Sequence, residues 1–213
     1  MKTATIRPVA KGSLAKYQRV RRLTLAVLLA LVFAVLLFGQ SKFAPETAIH
    51  EAIEMIGILL IVIGIAGRLW STLYIGGRKS TTVVSDGPYS ITRNPLYVFS
   101  SIAAIGVGAQ MGSITAAVGF GVACAAAFHF VILREEKYLS ANLGADYRAY
   151  LAEVPRFFPK LSLYREGETA GFRPSFLLIT LLDGLVFLAA MPFFEVIDAA
   201  QVSGALPVLF RIP

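Results

Sequence analysis

The chain has one cysteine, Cys124, and two histidines, His50 and His129. A lone cysteine in an apolar run closes no internal disulfide and makes neither a redox pair nor a zinc cluster. Charge is also scarce. Only 15 % of the 213 residues are charged, against about 25 % in soluble domains. With 56 % hydrophobic residues, the sequence reads as an integral membrane protein. It carries no Gly-rich phosphate loop and no Ser-His-Asp set. The segment His50-Glu51-x-x-Glu54 approaches the H-E-x-x-H zinc motif but lacks the second histidine. No internal repeat is visible. The net charge of +7 fits basic loops beside anionic lipid rather than nucleic acid.

Four apolar stretches organise the rest. A span needs roughly 20 apolar residues. Residues 23–39 form a slightly short one. The basic stretch before it is long, and a small-residue cleavage site is lacking, so it reads as a first span and not a signal peptide. Residues 53–74 form the second. Residues 96–133 are too long for one helix, and the polar, flexible break Gln110-Met111-Gly112-Ser113 divides them into spans three and four. Residues 176–194 form the fifth. Small residues in spans three and four, among them Gly106, Gly108, Gly119 and Gly121, suit close helix packing in lipid.

Charge orients the spans. Residues 1–22 are a basic segment, 41–52 hold Lys42 against Glu46 and Glu51, 68–95 are basic again, and 134–174 carry seven basic residues. Basic and poor loops alternate, as the positive-inside rule expects. The expected fold is an all-α integral membrane protein of about five transmembrane helices with a cytoplasmic cofactor site. Its N-terminus is cytoplasmic and its C-terminus outside. Residues 23–213 form one membrane domain, with the motif region at 87–160. On this topology His50-Glu51-x-x-Glu54 faces outside.

Two polar motifs flank the hairpin of spans three and four, which returns the chain to the side it left. The first is Gly87-Pro88-Tyr89-Ser90-Ile91-Thr92-Arg93-Asn94-Pro95-Leu96-Tyr97, the second Arg134-Glu135-Glu136-Lys137-Tyr138-Leu139. Asn94-Pro95 predicts a helix start, with Asn at the N-cap and Pro at the first helical position. A helix N-terminus beside Arg93 suits a carboxylate or phosphate; the plainer reading makes Arg93 a headgroup anchor. Glu135 and Glu136 cannot face the same way at 100° per residue, and Glu136 is favoured as the inward one. His129 shares its face seven residues earlier and joins the candidate cofactor contacts, beside the reading of a packed interfacial histidine. The helix is expected to end at Gly144. The aromatic and charged segment 144–159 is either a headgroup anchor or a lid that brings Arg156 to the reacting groups. Asp183, inside span five, stays unassigned.

These motifs resemble the isoprenylcysteine carboxyl methyltransferase family, related to the phospholipid N-methyltransferases. The family signature is Arg-His-Pro-x-Tyr-x-Gly, a hydrophobic stretch, then Glu-Glu. Here it reads Arg93-Asn94-Pro95-Leu96-Tyr97-Val98-Phe99, the hairpin, then Glu135-Glu136. Gly87-Pro88-Tyr89 and Gly144-x-x-Tyr147-x-x-Tyr150, followed by Val154-Pro155-Arg156-Phe157-x-Pro159, extend the likeness over residues 50–160. Asn94 replaces the signature histidine and Phe99 the glycine. The resemblance implies an S-adenosylmethionine-dependent methyltransferase with a lipidic acceptor, either a prenylcysteine-like carboxylate or a lipid amine. Arg93, with the helix start at Asn94 and Pro95, would take the carboxylate of S-adenosylmethionine. Glu136 or Glu135 would take its ammonium or ribose, and Tyr89 and Tyr97 its adenine or sulfonium. Arg156 and Glu136 are the candidate catalytic residues, Arg156 orienting a carboxylate acceptor. Membrane lipids are the expected partners and a bacterial inner membrane the expected location. A sterol-reductase-like, NADPH-dependent oxidoreductase and a non-enzymatic membrane scaffold are the competing readings.

Overall fold

The computed structural model describes residues 34–75, 82–167 and 174–213. The expected span at 23–39 therefore lies mostly outside the described residues. Its last turn, 34–38, is helical and runs into strand β1 (Gly39–Ser41). Helix α1 (Ala48–Ile75) follows, then the one-turn α2 (Pro88–Ile91), α3 (Pro95–Ala109) and α4 (Ile114–Glu153). Helix α5 (Pro174–Leu185) passes through a 3-10 turn, Val186–Ala189, into α6 (Ala190–Val202), and the chain ends in strand β2 (Phe210–Ile212). Among the described residues, three stretches are long and apolar enough to cross a membrane: Ala48–Ile75, Ile114–Glu153 and Pro174–Val202. The shorter apolar α3 packs among them. The protein is a helical membrane protein.

Local chemistry explains most boundaries. The 110–113 break is a buried, bonded turn rather than a loose one. Gly112 adopts φ +61°, a region that disfavours any Cβ. The Gln110 side-chain amide donates to the Glu54 carbonyl at 2.9 Å. Ser113 caps α4, its Oγ accepting from the Ala116 N–H at 3.2 Å, a contact worth about 1 kcal/mol. At the far end of α4, Gly144 takes φ 63°, ψ −126°. This breaks the helix where expected, but a further helical stretch continues to Glu153. The 3-10 turn in the last span has its cause in Pro192, which lacks the N–H that Leu188 would otherwise receive.

Helices α1 and α3 approach backbone to backbone. A Cβ on Gly64 would lie 2.6 Å from the Ala103 Cβ, and one on Gly106 would lie 2.5 Å from the Gly57 carbonyl oxygen. Without water, such contact is the main source of helix association. The two strands pair in parallel, Gly39 with Phe210 and Ser41 with Ile212. The chain terminus then docks on the α3–α4 turn, the Pro213 carbonyl accepting from Thr115 N–H at 3.0 Å. This sheet has no counterpart in the sequence expectations, because it joins segments about 170 residues apart.

The molecule thus has two ends. One gathers β1, the start of α1, the α3–α4 turn, the end of α6 and β2. The other gathers the end of α1, α2, the start of α3 and the region around the Gly144 kink.

Candidate active site

At the second end, two segments are sewn together around the start of α3. Gly87 sits at φ 54° with Tyr74 where its Cβ would be, 2.4 Å away. Pro88 then opens α2. The Ser90 Oγ donates to the Gly87 carbonyl at 2.7 Å and accepts from the Arg165 N–H at 3.0 Å. The Arg93 N–H donates to the Pro155 carbonyl at 2.9 Å. The Thr92 hydroxyl donates to the Phe157 carbonyl at 3.1 Å, and the Asn94 side-chain amide to the Arg156 carbonyl at 2.9 Å. Asn94 occupies the N-cap position but its side chain does not cap. Pro95 is the first helical residue, as expected. The Tyr97 and Val98 N–H groups both return to the Asn94 carbonyl, so the helix start offers fewer free donors than the sequence suggested.

The two glutamates divide. Glu136 is buried between two arginines. The Arg93 Nη2 stands 3.3 Å from its Oε1, and Arg156 grips it with Nε at 3.1 Å and Nη2 at 2.9 Å. The Arg93 Nη1 also donates to the Leu151 carbonyl at 2.9 Å. The Glu136 hydrogen bond raises the Arg156 guanidinium above its ordinary pKa. Glu135 turns the other way and accepts from the Tyr97 hydroxyl at 2.9 Å.

Beside this network lies a cavity of about 270 Å³, bounded by α1, α3, α4, α5 and the segment after the kink. Arg93, Asn94, Pro95, Tyr97, Tyr89 and Glu135 all line it. Tyr147 and Tyr150 close one wall; Arg68, Ser100 and Thr180 line it from α1, α3 and α5. Glu136, Arg156 and His129 do not line it. The inward glutamate favoured by the sequence is buried, yet it is Glu135 that reaches the cavity. His129 is exposed and, with Arg156, Phe157 and Ile132, borders a separate hollow of about 220 Å³. Asp183 is exposed on α5, its charge acting on Arg68.

Several cavity groups are left without partners among the described residues. The Tyr89 hydroxyl, the Arg93 Nε and the Arg68 Nε are buried and unbonded. Such donors normally find a partner, and all three belong to residues that line the cavity. Burial holds the tyrosines neutral: Tyr89 and Tyr150 are pushed well above the usual phenol range, and Tyr147 is pushed up to about 12 by burial and then by the Glu136 charge. The Tyr150 hydroxyl is used, donating to the Tyr89 carbonyl at 2.7 Å. Tyr97 stacks obliquely on Phe128, ring centroids 4.6 Å apart.

Sequence reasoning missed Arg68, Tyr147 and Tyr150 as cavity residues. Arg68 carried a signal, an arginine interrupting an apolar span, which is expensive unless used. The tyrosines carried a weaker one, spaced three apart on one helical face.

The phospholipid methyltransferase family profile matches residues 53–146. The chain is 35 % identical over 187 residues to the nickel-cobalt-cadmium resistance protein NccN of Alcaligenes xylosoxydans xylosoxydans, covering 88 % of this chain and 87 % of that one. It is 34 % identical over 180 residues to the cobalt-zinc-cadmium resistance protein CzcN of Cupriavidus metallidurans, covering 84 % and 82 %. A more distant likeness, 28 % over 142 residues, links it to protein-S-isoprenylcysteine O-methyltransferase B of Arabidopsis thaliana, covering 62 % and 72 %. No solved structure matches significantly. The chain thus carries a phospholipid methyltransferase family domain over residues 53–146 and belongs to the same family as the bacterial proteins NccN and CzcN.

Proposed function

We propose that this protein is an S-adenosylmethionine-dependent methyltransferase acting on a lipidic acceptor from the cytoplasmic face of a bacterial inner membrane. The observation that carries the reading is a cavity lined by Tyr89, Arg93, Arg68 and Glu135, the first three of which each hold a buried donor atom without a partner. When bound, S-adenosylmethionine supplies a methyl group on a positively charged sulfur. Its carboxylate fits the Arg93 and Tyr89 donors. Its ammonium and ribose fit the Glu135 carboxylate, and its flat base the Tyr147 and Tyr150 wall. The aromatic pair Tyr97–Phe128 offers π faces that favour positive charge.

Arg156 and Glu136 act as positioning residues. Together with Arg93 they clamp the segment after the kink over the start of α3, beside the cavity. Methyl transfer gains most from alignment and exclusion of water and leans little on acid–base groups. Arg68 and Ser100, hydrogen-bonded to each other, face the acceptor. A carboxylate acceptor is already nucleophilic and would be oriented by Arg68; an amine acceptor would need a base, and Glu135 is the cavity carboxylate placed to serve. The names of the two bacterial relatives suggest that the reaction contributes to tolerance of divalent metals.

The test is ligand-dependent thermal unfolding of the full chain in detergent, followed by labelled methyl transfer to membrane lipids. S-adenosylmethionine and S-adenosylhomocysteine should each raise the unfolding temperature, and NADPH should not. At 100 times its dissociation constant a ligand stabilises by about 2.7 kcal/mol. A shift with NADPH alone would transfer the cavity to a reductase. No shift with any of the three from folded protein would remove the enzyme reading.

A further inference from the structure

We propose that His50, Glu54 and Asp198 form a divalent transition-metal site at the end of the molecule opposite the cavity. His50 and Glu54 are one turn apart at the start of α1, and Asp198 comes from α6. His50 Nε2 lies 3.3 Å from Glu54 Oε1 and 3.9 Å from Asp198 Oδ2. All three ligand atoms fall within 4.8 Å of one another. Neighbouring ligands on a tetrahedral zinc with bonds of 2.0–2.1 Å stand about 3.3 Å apart, so small side-chain adjustments close the site on an ion.

The imidazole is set for this role. Its Nδ1 stands 3.1 Å from the Phe43 carbonyl oxygen. A carbonyl only accepts, so Nδ1 carries the hydrogen and Nε2 turns to the two carboxylates. Donation of the second ring N–H to a backbone carbonyl is the usual support of a metal-binding histidine. The ring cannot turn away. His50 is 2 % exposed, and a Cβ on Gly112 would sit 2.1 Å from Nδ1. Nε2 facing two carboxylates has room for one positive partner, a proton or a metal ion, and the three-ligand spacing suits the ion.

The surroundings favour the cation further. Residues 39–56 and 190–213 contribute Glu46, Glu51, Glu54, Glu195 and Asp198 against Lys42 and Arg211, in a chain whose net charge is +7. The charges of Glu51 and Glu195 reach Glu54. The rest of this end is fastened around the cluster. Ser41 Oγ donates to the Gly112 carbonyl at 2.7 Å, and Gln110 donates to Glu54's own carbonyl. One imidazole with two carboxylates selects zinc, cobalt or nickel over calcium, which takes six to eight oxygens. Three protein ligands also leave a position open for water or a passing ligand.

The site is about 27 Å from Arg68 along α1, at 1.5 Å per residue, and is independent of the methyl-transfer reading. The test is equilibrium titration of the purified full chain with Zn²⁺ or Co²⁺ alone, without S-adenosylmethionine. The wild type should bind one ion, with a Co²⁺ visible spectrum of mixed nitrogen and oxygen ligation. Asp198→Asn and Glu54→Gln keep shape and should each weaken binding at least tenfold. The variant Tyr89→Phe should bind as wild type does. His50 is locked into the turn, so the two carboxylate variants carry the test. No stoichiometric binding by the wild type would overturn the site and leave a protonated histidine bridging two carboxylates. Unchanged affinity in both variants would overturn it equally.

Discussion

Glu135 and Glu136 are neighbours in the chain with opposite fates. Helix geometry requires that they diverge, but which one meets the cavity is set by Arg93 and Arg156, residues 43 and 20 positions away. No local pattern reports that. The pairing has a consequence for mutagenesis. Removing Arg93 strips one partner from the buried Glu136 carboxylate (both side chains are 10 % exposed), and breaking such a pair costs about 3 kcal/mol or more. Arg93→Ala therefore lowers stability and ligand binding together. Tyr89→Phe separates the two. Its hydroxyl is buried and unbonded, so its removal relieves a desolvation cost and the unfolding temperature should hold or rise. S-adenosylmethionine affinity should fall about tenfold, in line with a lost bond to a charged group of about 1.5 kcal/mol. Equal affinity in calorimetry of the variant would remove Tyr89 from the site.

At the scale of elements, the sequence was readable where a boundary has a local cause. Pro95 opens α3, Gly112 and Ser113 part α3 from α4, and Gly144 breaks α4, each through its own backbone chemistry. It was less readable where the cause is remote. The β1–β2 pair, the helical stretch after Gly144 and the cavity roles of Tyr147 and Tyr150 depend on contacts between distant segments. The small residues of the hairpin show the same division, since composition cannot tell which glycines are pressed. Gly106 is: a Cβ there would meet the Gly57 carbonyl at 2.5 Å and Ile61 at 2.8 Å. Gly119 is not: nothing lies within 4 Å of its Cβ position. Gly106→Ala should thus cost about 1–3 kcal/mol through overpacking. Gly119→Ala should be neutral or gain up to about 1 kcal/mol from helix propensity. Thermal unfolding of the two variants side by side decides this; equal losses in both would mean that α1 and α3 are not in backbone contact.

At the scale of the whole molecule, the two proposed sites, the cavity and the His50 cluster, lie toward opposite ends of α1. The cavity end is built from the basic segments that the charge pattern assigns to the cytoplasm, where the cofactor is made. The other end carries the acidic cluster and the docked C-terminus, and on the same pattern it faces outside. This polarity is open to a direct measurement. Cys124 is the single thiol and lies within α4, so Cys124→Ser gives a clean background. Ser203, exposed just past α6, and Lys160, exposed beside the cavity end, then serve as positions for Ser203→Cys and Lys160→Cys. A membrane-impermeant thiol reagent applied to intact cells should label the first. It should label the second only after the membrane is opened. The reverse pattern would turn the molecule over, placing the cavity where S-adenosylmethionine is scarce and the His50 cluster in the cytoplasm. Methyl transfer would then lose its cofactor supply, whereas metal binding by His50, Glu54 and Asp198 would survive with its ion drawn from inside the cell.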